Sequence, residues 1–538
     1  MVSFPELPSY SIDEAPPSPE QEHSERYALL SVSNKAGIVD FARTLDTLGY
    51  RIISTGGTAK TLTDQGLNVV PIQDITGNPE SFDGRMKTIS FQVEGGILFD
   101  RTNPSHVEQA ETLGVKSIDI VVANLYPFEN TVSNPDVTMD DAVENIDVGG
   151  PTMVRAAAKN FKNVLVVVDP NDYESVAEAL SVGSVDNELR QVLAAKAFGH
   201  LSFYDAQIAR HLSLERFPNE IVVPARRSIE LRYGENPHQK SSVYFEPNTN
   251  SPLANLQHLG GRELSYVNFT DIAAGLESVR PFQEPAAVVI KHNSPCGIAL
   301  GRTADESLAR AIAADPESAF GGVIVLNQEV DIQTAQILAS FKEESGIIDI
   351  VAAPSITDDA RAFIRQVRKS TGMYSFGTIP QRSNSGHLRF FDGGFVMQDW
   401  DDDVENNFSE WKVAGVEVPT EEQLEQMRVA WKFISRIKSN SVIVVDSEIP
   451  MTRGIGSGQT SRVRSTRIAL EQAGKYAKGA ILASDSFFPF DDSVRLAAKA
   501  GIAAIVQQGG SLRDDLSTNA ANELGIPMVH TLRRAFWH

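Results

Sequence analysis

The sequence predicts an α/β protein of at least two domains, on three observations. Short, wholly apolar runs of strand length recur along the chain, helical patterns with a 3.6-residue period lie between them, and 538 residues exceed what one hydrophobic core organises. Strands that are apolar on both faces and alternate with helices belong in a parallel sheet covered on both sides.

Taken in order, residues 1–26 hold five prolines and six carboxylates and read as a disordered leader. "YALLSV" from Tyr27 is a strand. The helix after it places Ile38, Phe41, Ala42, Leu45 and Leu48 on one face and stops at Gly49. "RIIST" is a second strand, followed by a glycine turn, a short helix to Gly66 and the strand "NVVPI". "IDIVVANL" and "VLVVVD" continue the sheet, with "PTMVRAAAKN" helical between them, and a long helix from about Glu188 to Leu212 closes this half. "RFPNEIVVPARRS" reads as a connector, which divides the chain into domains at 27–224 and 225–538. The second half repeats the α/β style with "AAVVIKH", "GGVIVLN", "IDIVAAP", "SVIVVD", "GAILASD" and "AAIVQQ" as strands. The acidic stretch "QDWDDDVENN" reads as solvated surface, and "AAVVIKHNSPCG" as a buried strand ending on Lys291 and His292 before a turn at Pro295.

Composition narrows the function classes. Charged residues at 22% and hydrophobic residues at 42% describe a soluble globular chain, and no apolar run approaches membrane-spanning length. No signal pattern opens the sequence, so the expected location is cytoplasmic, with no membrane partner. A single cysteine, Cys296, excludes an intrachain disulfide and a multi-cysteine zinc site. A net charge of -22 argues against a nucleic-acid surface, whereas small anions need only local cationic pockets.

Several motifs supply such pockets. "STGGTAK" sets Ser54, Thr55, Gly56, Gly57 and Thr58 between a strand and a helix, where backbone amides cradle phosphate. "SVSNK" brings Ser31, Ser33 and Lys35 to the same sheet edge, where open α/β folds bind ligands. Around that edge fall "GRMKT" with Arg85 and Lys87, "NLYPF" with Asn124 and Tyr126, "NIDVGG" with Asp147 and "RAAAKN" with Lys159. Two lysines, a tyrosine and an aspartate are groups that move protons and stabilise an oxyanion. In the second half, "LRYGENPHQ", "KSNS", "GIGSGQTSR" and "SDSFFPF" are polar loops; the amides and Arg462 of "GIGSGQTSR", taken to follow the strand "SVIVV", suit an anion.

These motifs, with "IKHNSPCG" and "DPESAFGG", stand in one collinear order that resembles the bifunctional purine-biosynthesis family joining an aminoimidazole carboxamide ribonucleotide (AICAR) formyltransferase to an inosine monophosphate (IMP) cyclohydrolase, over about residues 27–538. The resemblance implies a methylglyoxal-synthase-like three-layer α/β/α cyclohydrolase domain, then a transferase domain of two cytidine-deaminase-like subdomains without zinc. It implies 10-formyltetrahydrofolate as formyl donor, a formylated intermediate (FAICAR), a homodimer with shared transferase sites, and leaves a potassium ion open. It maps formyl transfer onto Lys291 and His292. Arg232 and Tyr233 would hold the nucleotide, His238, Asn268 and Asn440 would lie near the ring, Asp485 and Phe488 on the folate side, and Arg534 on phosphate. For ring closure it maps Lys87, Tyr126, Asp147 and Lys159, with Ser31–Lys35 and Ser54–Thr58 on phosphate and Arg85 on substrate.

One flank departs from the family. After Lys87 and Thr88 the family reads Leu-His-Pro and then a second histidine before the glycines, whereas this chain has "ISFQVEGG", with Ser90, Phe91 and Glu94 at those places. Two readings of residues 27–224 follow: a cyclohydrolase, or a purine-nucleotide binding module without catalysis.

Overall fold

The computed structural model describes residues 25–82, 84–343, 346–382 and 386–538, so the leader reading concerns residues that, but for the last two, lie outside the described ones. Of those two, Arg26 already begins the first strand. The chain divides into two compact units: the described residues up to Arg226 together with Glu246–Asn248, and Arg227–Phe245 together with Thr249–His538.

The first unit is built on a five-stranded sheet in the order β3-β2-β1-β4-β5, formed by β1 (Arg26–Val32), β2 (Tyr50–Ser54), β3 (Val69–Pro71), β4 (Ile118–Asn124) and β5 (Leu165–Val167). Every pairing is parallel. Alternate residues of β1 serve two cores: Tyr27 and Leu29 enter one, Ala28, Leu30 and Val32 the other. This is why the strands carry no polar face. Helix α1 (Ile38–Thr47) covers the second core, and α4 (Gly149–Lys159) and α5 (Asn187–Leu212) the first. Helices α2 (Gly56–Asp64) and α3 (Phe91–Leu98) lie between α1 and α4 in the chain. Gly56 and Gly57 are the first residues of α2 rather than a turn before it.

The second unit begins within β6 (Arg226–Leu231), which forms a two-stranded sheet with β7 (Ser241–Phe245), and continues with two six-stranded sheets and a hairpin. One sheet has the order β10-β9-β11-β12-β13-β8, from β8 (Gln257–Gly260), β9 (Ala286–Lys291), β10 (Ser294–Leu300), β11 (Gly322–Leu326), β12 (Ile348–Ala353) and β13 (Gly372–Ser375). The hairpin is β14 (His387–Phe391) with β15 (Gly394–Gln398). The other sheet, read from its far edge, has the order β18-β17-β19-β20-β21-β16, from β16 (Lys412–Val413), β17 (Val442–Val445), β18 (Thr452–Gly456), β19 (Ile481–Ser484), β20 (Ala504–Gln507) and β21 (Met528–His530).

The two sheets share one pattern of directions. In each, a hairpin pairs antiparallel to a third strand, two parallel pairings follow, and an antiparallel strand closes the edge. Each is preceded by a helix, α6 (Tyr266–Val279) before β9 and α8 (Glu421–Ile434) before β17, and followed by another on the hairpin, α7 (Ala304–Ala314) and α9 (Arg462–Ala473). Val288 and Ile290 of one sheet and Ile443 and Val445 of the other meet α6 and α8 in one shared core, so both helices lie between the sheets. Ala287 and Val289 turn outward into a separate core with α7.

Three sequence expectations need correction here. The chain turns at His292 and Asn293, both at positive φ, which makes a two-residue turn between β9 and β10; Pro295 lies inside β10, an edge strand where a missing N–H is tolerated. "GIGSGQTSR" does not simply follow "SVIVV" as a loop, because Gly454–Gly456 are the end of β18, paired antiparallel to β17. The acidic stretch is not all solvated. Asp402 accepts from Arg382 and Arg436, and Trp400 stacks on His387, since Arg436 is buried and a buried guanidinium requires acceptors.

Candidate active sites

In the first unit a closed ring of contacts surrounds the N-terminus of α2. The Asn34 N–H donates to Asn124 Oδ1 at 2.8 Å, and Asn124 Nδ2 donates back to the Asn34 carbonyl. A Cβ placed on Gly57 would lie 3.6 Å from Lys35 Nζ, and one on Gly56, which has φ +53°, 3.4 Å from Lys87 Nζ. Two ammonium groups thus flank the first amides of a helix, the arrangement that binds a phosphate. A Cβ on Gly149 would meet Thr88 Oγ1, and one on Gly150 would meet both Asp147 Oδ2 and Leu125, which returns the ring to Asn124.

Within this ring Asp147 accepts from the Gly150 N–H at 3.0 Å, and burial pushes its carboxyl above the usual range while the Gly149 and Gly150 amides oppose the rise. Lys87 donates to Glu80 at 3.0 Å. Tyr126 is exposed beside a cavity of about 730 Å³ that Ser33, Asn34 and Asn124 also line. The Thr58 hydroxyl is bonded to both the N–H and the carbonyl of Val32, and the Ser54 hydroxyl donates to the Leu30 carbonyl; these side chains fix the loop, leaving its amides to a ligand. Ser31 is a half-buried residue of β1, and Arg85 pairs with Glu144.

Lys159 ends the helix whose first residue, Gly149, borders this ring, and ten steps of 1.5 Å put roughly 15 Å of helix axis between Gly149 and Lys159. The altered flank starts α3: Ser90 caps it by accepting from the Val93 N–H, Phe91 is exposed, and burial pushes the Glu94 carboxyl up to about 7.

In the second unit α6 sets one wall of a second site. Ser265 caps the helix and engages Asn268 in a reciprocal capping box, so the Asn268 oxygen is already bonded. One turn on, buried Asp271 accepts from the Asn293 N–H at 2.6 Å and so holds the His292–Asn293 turn, with the His292 ring exposed. Lys291 donates to the Phe320 carbonyl at 2.9 Å. Arg232 and Tyr233 run along the start of α6, through the Arg232 N–H on Leu264 and the Tyr266 N–H on Tyr233, and His238 is exposed in the same loop.

The opposite wall comes from the other sheet. Edge strands β10 and β18 meet, with Ile298 and Leu300 donating to Thr452 and Pro450, and Ser294 Oγ lies 3.3 Å from Ser457 Oγ. Past Ser457 the Gly458 N–H donates to Lys438, and Asn440 donates to the Gln459 carbonyl. Arg462 does not wait for an anion: it pairs with fully buried Asp485 and donates to Asn440 Oδ1 and Ser484. Asp485 also accepts from Ser439 and the Ser441 N–H, and its carbonyl takes the Ala535 N–H, which places exposed Arg534 beside this network. Phe488 is fully buried and packs the core of this sheet. The His292–Asn293 turn precedes Ser294 at the junction of the two sheets and Asn440 is bonded beside Ser457 across it, whereas Lys291 is turned to Phe320, Asn268 to Ser265, and Phe488 is enclosed.

The model of the AICARFT/IMPCHase bienzyme family matches residues 157–472, more than half the chain, and that of the MGS-like domain matches residues 37–152. The chain belongs to the AICARFT/IMPCHase bienzyme family. Relatives named bifunctional purine biosynthesis protein PurH agree along nearly the whole length. That of Shouchella clausii is 44% identical over 521 residues, covering 95% of this chain and 99% of the relative, and that of Persephonella marina 43% identical, covering 95% and 100%. A solved structure titled "Crystal structure of ForH" is 37% identical, covers 36% of this chain and all of its own, and superposes with a TM-score of 0.33. As a member of this family the chain is a bifunctional enzyme of purine synthesis, formyltransferase and cyclohydrolase, using a folate-type formyl donor. A non-catalytic first unit is not favoured. Sequence reasoning missed Glu80, seven residues before the Lys87 it holds, and Asp271 and Ser457, which are 22 and 163 residues from the groups they hold and which only tertiary contact assigns.

Proposed function

We propose that the second unit transfers a formyl group from 10-formyltetrahydrofolate to AICAR and that the first closes FAICAR to IMP. In transfer, the exocyclic amine is a weak nucleophile because its lone pair is delocalised into a ring bearing a carboxamide. His292 takes the amine proton as the amine attacks the formyl carbon, and the Lys291 ammonium stabilises the developing oxyanion; the tetrahedral intermediate then collapses, the bond from the formyl carbon to the folate nitrogen breaks, and that nitrogen takes a proton from His292 or Lys291, releasing FAICAR and tetrahydrofolate. Asp271 supports this role by fixing the turn that presents the imidazole. Arg232, Tyr233 and Arg534 hold the nucleotide, and His238, Asn268, Asn440 and Asp485 set the junction where the two substrates meet.

In ring closure the carboxamide nitrogen attacks the formyl carbon of the same molecule and water leaves. Intramolecular attack removes most of the entropic barrier, so modest proton transfer and oxyanion stabilisation suffice. The phosphate sits on the Gly56 and Gly57 amides between Lys35 and Lys87; Asp147 and Tyr126 handle protons across the ring. Lys159 enters this reading only through the family, because α4 carries it away from Gly149. The observation that supports ring closure in the first unit is the pair of ammonium groups against Gly56 and Gly57, next to a buried carboxylate. We assign the enzyme to the cytoplasm as a homodimer on the family resemblance; among the described residues no helix is long and apolar enough to cross a membrane. Product analysis with purified protein, AICAR and 10-formyltetrahydrofolate tests the whole reading. IMP is the expected product. FAICAR that accumulates and closes only at its uncatalysed rate overturns the assignment of the first unit.

A further inference from the structure

Helix α5 is the longest among the described residues of the first unit, and one stripe of it runs from exposed Lys196 through half-buried His200 to buried Tyr204, which joins the core. Lys196, His200 and Tyr204 follow at intervals of four and so share a face. Each engages a different loop at the carboxyl edge of the parallel sheet. Lys196 pairs with Asp169 at 2.6 Å and Asp172 at 2.8 Å, just after β5. His200 Nε2 accepts from the Leu125 N–H at 3.3 Å, just after β4. The Tyr204 hydroxyl accepts from the Asp147 N–H at 2.7 Å, ahead of α4. The second and third of these loops carry Tyr126 and Asp147.

We propose that His200 and Tyr204 are positioning residues for ring closure: one rigid helix sets Tyr126 and Asp147 relative to each other through two side-chain acceptors four residues apart. The inference rests on the assignment of Tyr126 and Asp147 to that reaction. A helix is a better ruler than a loop, because its i and i+4 side chains keep their spacing while the two loops are free to drift. Both loop amides lie at turns with no partner in the sheet, so without these acceptors they are donors in want of a bond.

The acceptor role fixes the chemistry of His200. Nε2 accepts a hydrogen bond from the Leu125 N–H, so the ring is neutral with its own proton on Nδ1. Its surroundings keep it so. Burial disfavours the imidazolium, Arg226 adds to that effect, and Asp169 and Glu129 oppose it; Lys196 and Tyr204 flank it on its own helix. Protonation would turn the acceptor into a donor facing a donor.

The test uses the full-length protein supplied with FAICAR, following IMP formation, with formyl transfer and thermal midpoint measured on the same samples. Tyr126→Phe and Asp147→Asn come first, because unchanged closure in both would overturn the parent assignment rather than this one. With those two impaired, Tyr204→Phe keeps the ring, removes the acceptor and is expected to lower kcat for closure about fivefold to tenfold with KM nearly unchanged. His200→Phe is expected to act alike. His200→Gln restores an acceptor that does not protonate, and is expected to recover most of kcat and to hold it at acid pH, where the wild type declines. Wild-type kcat in both Tyr204→Phe and His200→Phe overturns the proposal. So does a loss of closure matched by an equal loss of formyl transfer, or a His200→Gln variant as slow as His200→Phe.

Discussion

His292 is exposed on a turn whose neighbour is pinned to a buried aspartate, so its imidazole is free to meet substrate while its backbone is not free to move. His292→Ala is therefore expected to lower formyl transfer by about two to four orders of magnitude and to leave closure of supplied FAICAR intact, read by two separate absorbance assays. Near wild-type transfer would remove His292 from the mechanism. Glu94 poses a different problem at the same scale. Its Oε1 has no hydrogen-bond partner among the described residues, and burial lifts its carboxyl to about 7. A folded-state value above the unfolded one near 4.5 means that ionisation opposes folding: stability is full below about pH 4.5, falls as pH rises to about 7, and stays lowered above. Glu94→Gln is thus expected to stabilise by on the order of 1–2 kcal/mol at pH 8 and by little at pH 4.5, in paired thermal melts. Equal shifts at both pH values would place the effect elsewhere.

Elements explain both what the sequence discloses and what it hides. Apolar runs such as Val288–Ile290 or Val121–Ala123 are buried on both faces, so their strands are legible at sight. The strands that build the transferase junction are not, because "SPCGIAL" and "TRGIG" carry the proline and glycines that usually mark turns. Their glycines answer to packing. A Cβ on Gly297 would lie 2.1 Å from the Ala311 carbonyl of α7, and one on Gly456 2.0 Å from the Ser465 carbonyl of α9, so each edge strand lies flush on a helix that only glycine admits. The same limit governs the sites. Single motifs at the α2 phosphate loop were legible, whereas the span of α4 that separates Gly149 from Lys159 needs the helix itself. The His292–Asn293 turn offers a test at this scale. Both residues have φ near +55° to +60°, which glycine adopts freely and a β-branched residue does not. Asn293→Gly is expected to keep formyl transfer within about threefold and Asn293→Val to lower it by tenfold or more, at substrate saturation. If the valine variant is as active as the glycine one, turn geometry does not set His292.

At the scale of the whole molecule, each unit has its own sheets, its own cores and its own cluster of candidate groups. Chemistry so divided predicts that one site can fail without the other. Lys87→Ala removes one of the two ammonium groups at the α2 N-terminus, and is expected to form FAICAR from AICAR at the wild-type rate while losing most closure. His292→Ala is expected to show the reverse. Either variant alone should make IMP from AICAR at only a small fraction of the wild-type rate, and the uncatalysed rate must be measured beside it because intramolecular closure proceeds unaided to some extent. Mixed in equal amounts, the two should restore IMP formation after a lag, since FAICAR released by the first is substrate for the second. The lag is the informative quantity: it should shorten in proportion to the concentration of the His292→Ala protein, as diffusion between molecules requires. A mixture that makes no more IMP than either variant alone would show that the two sites depend on each other within one molecule, against the separation that the two units imply.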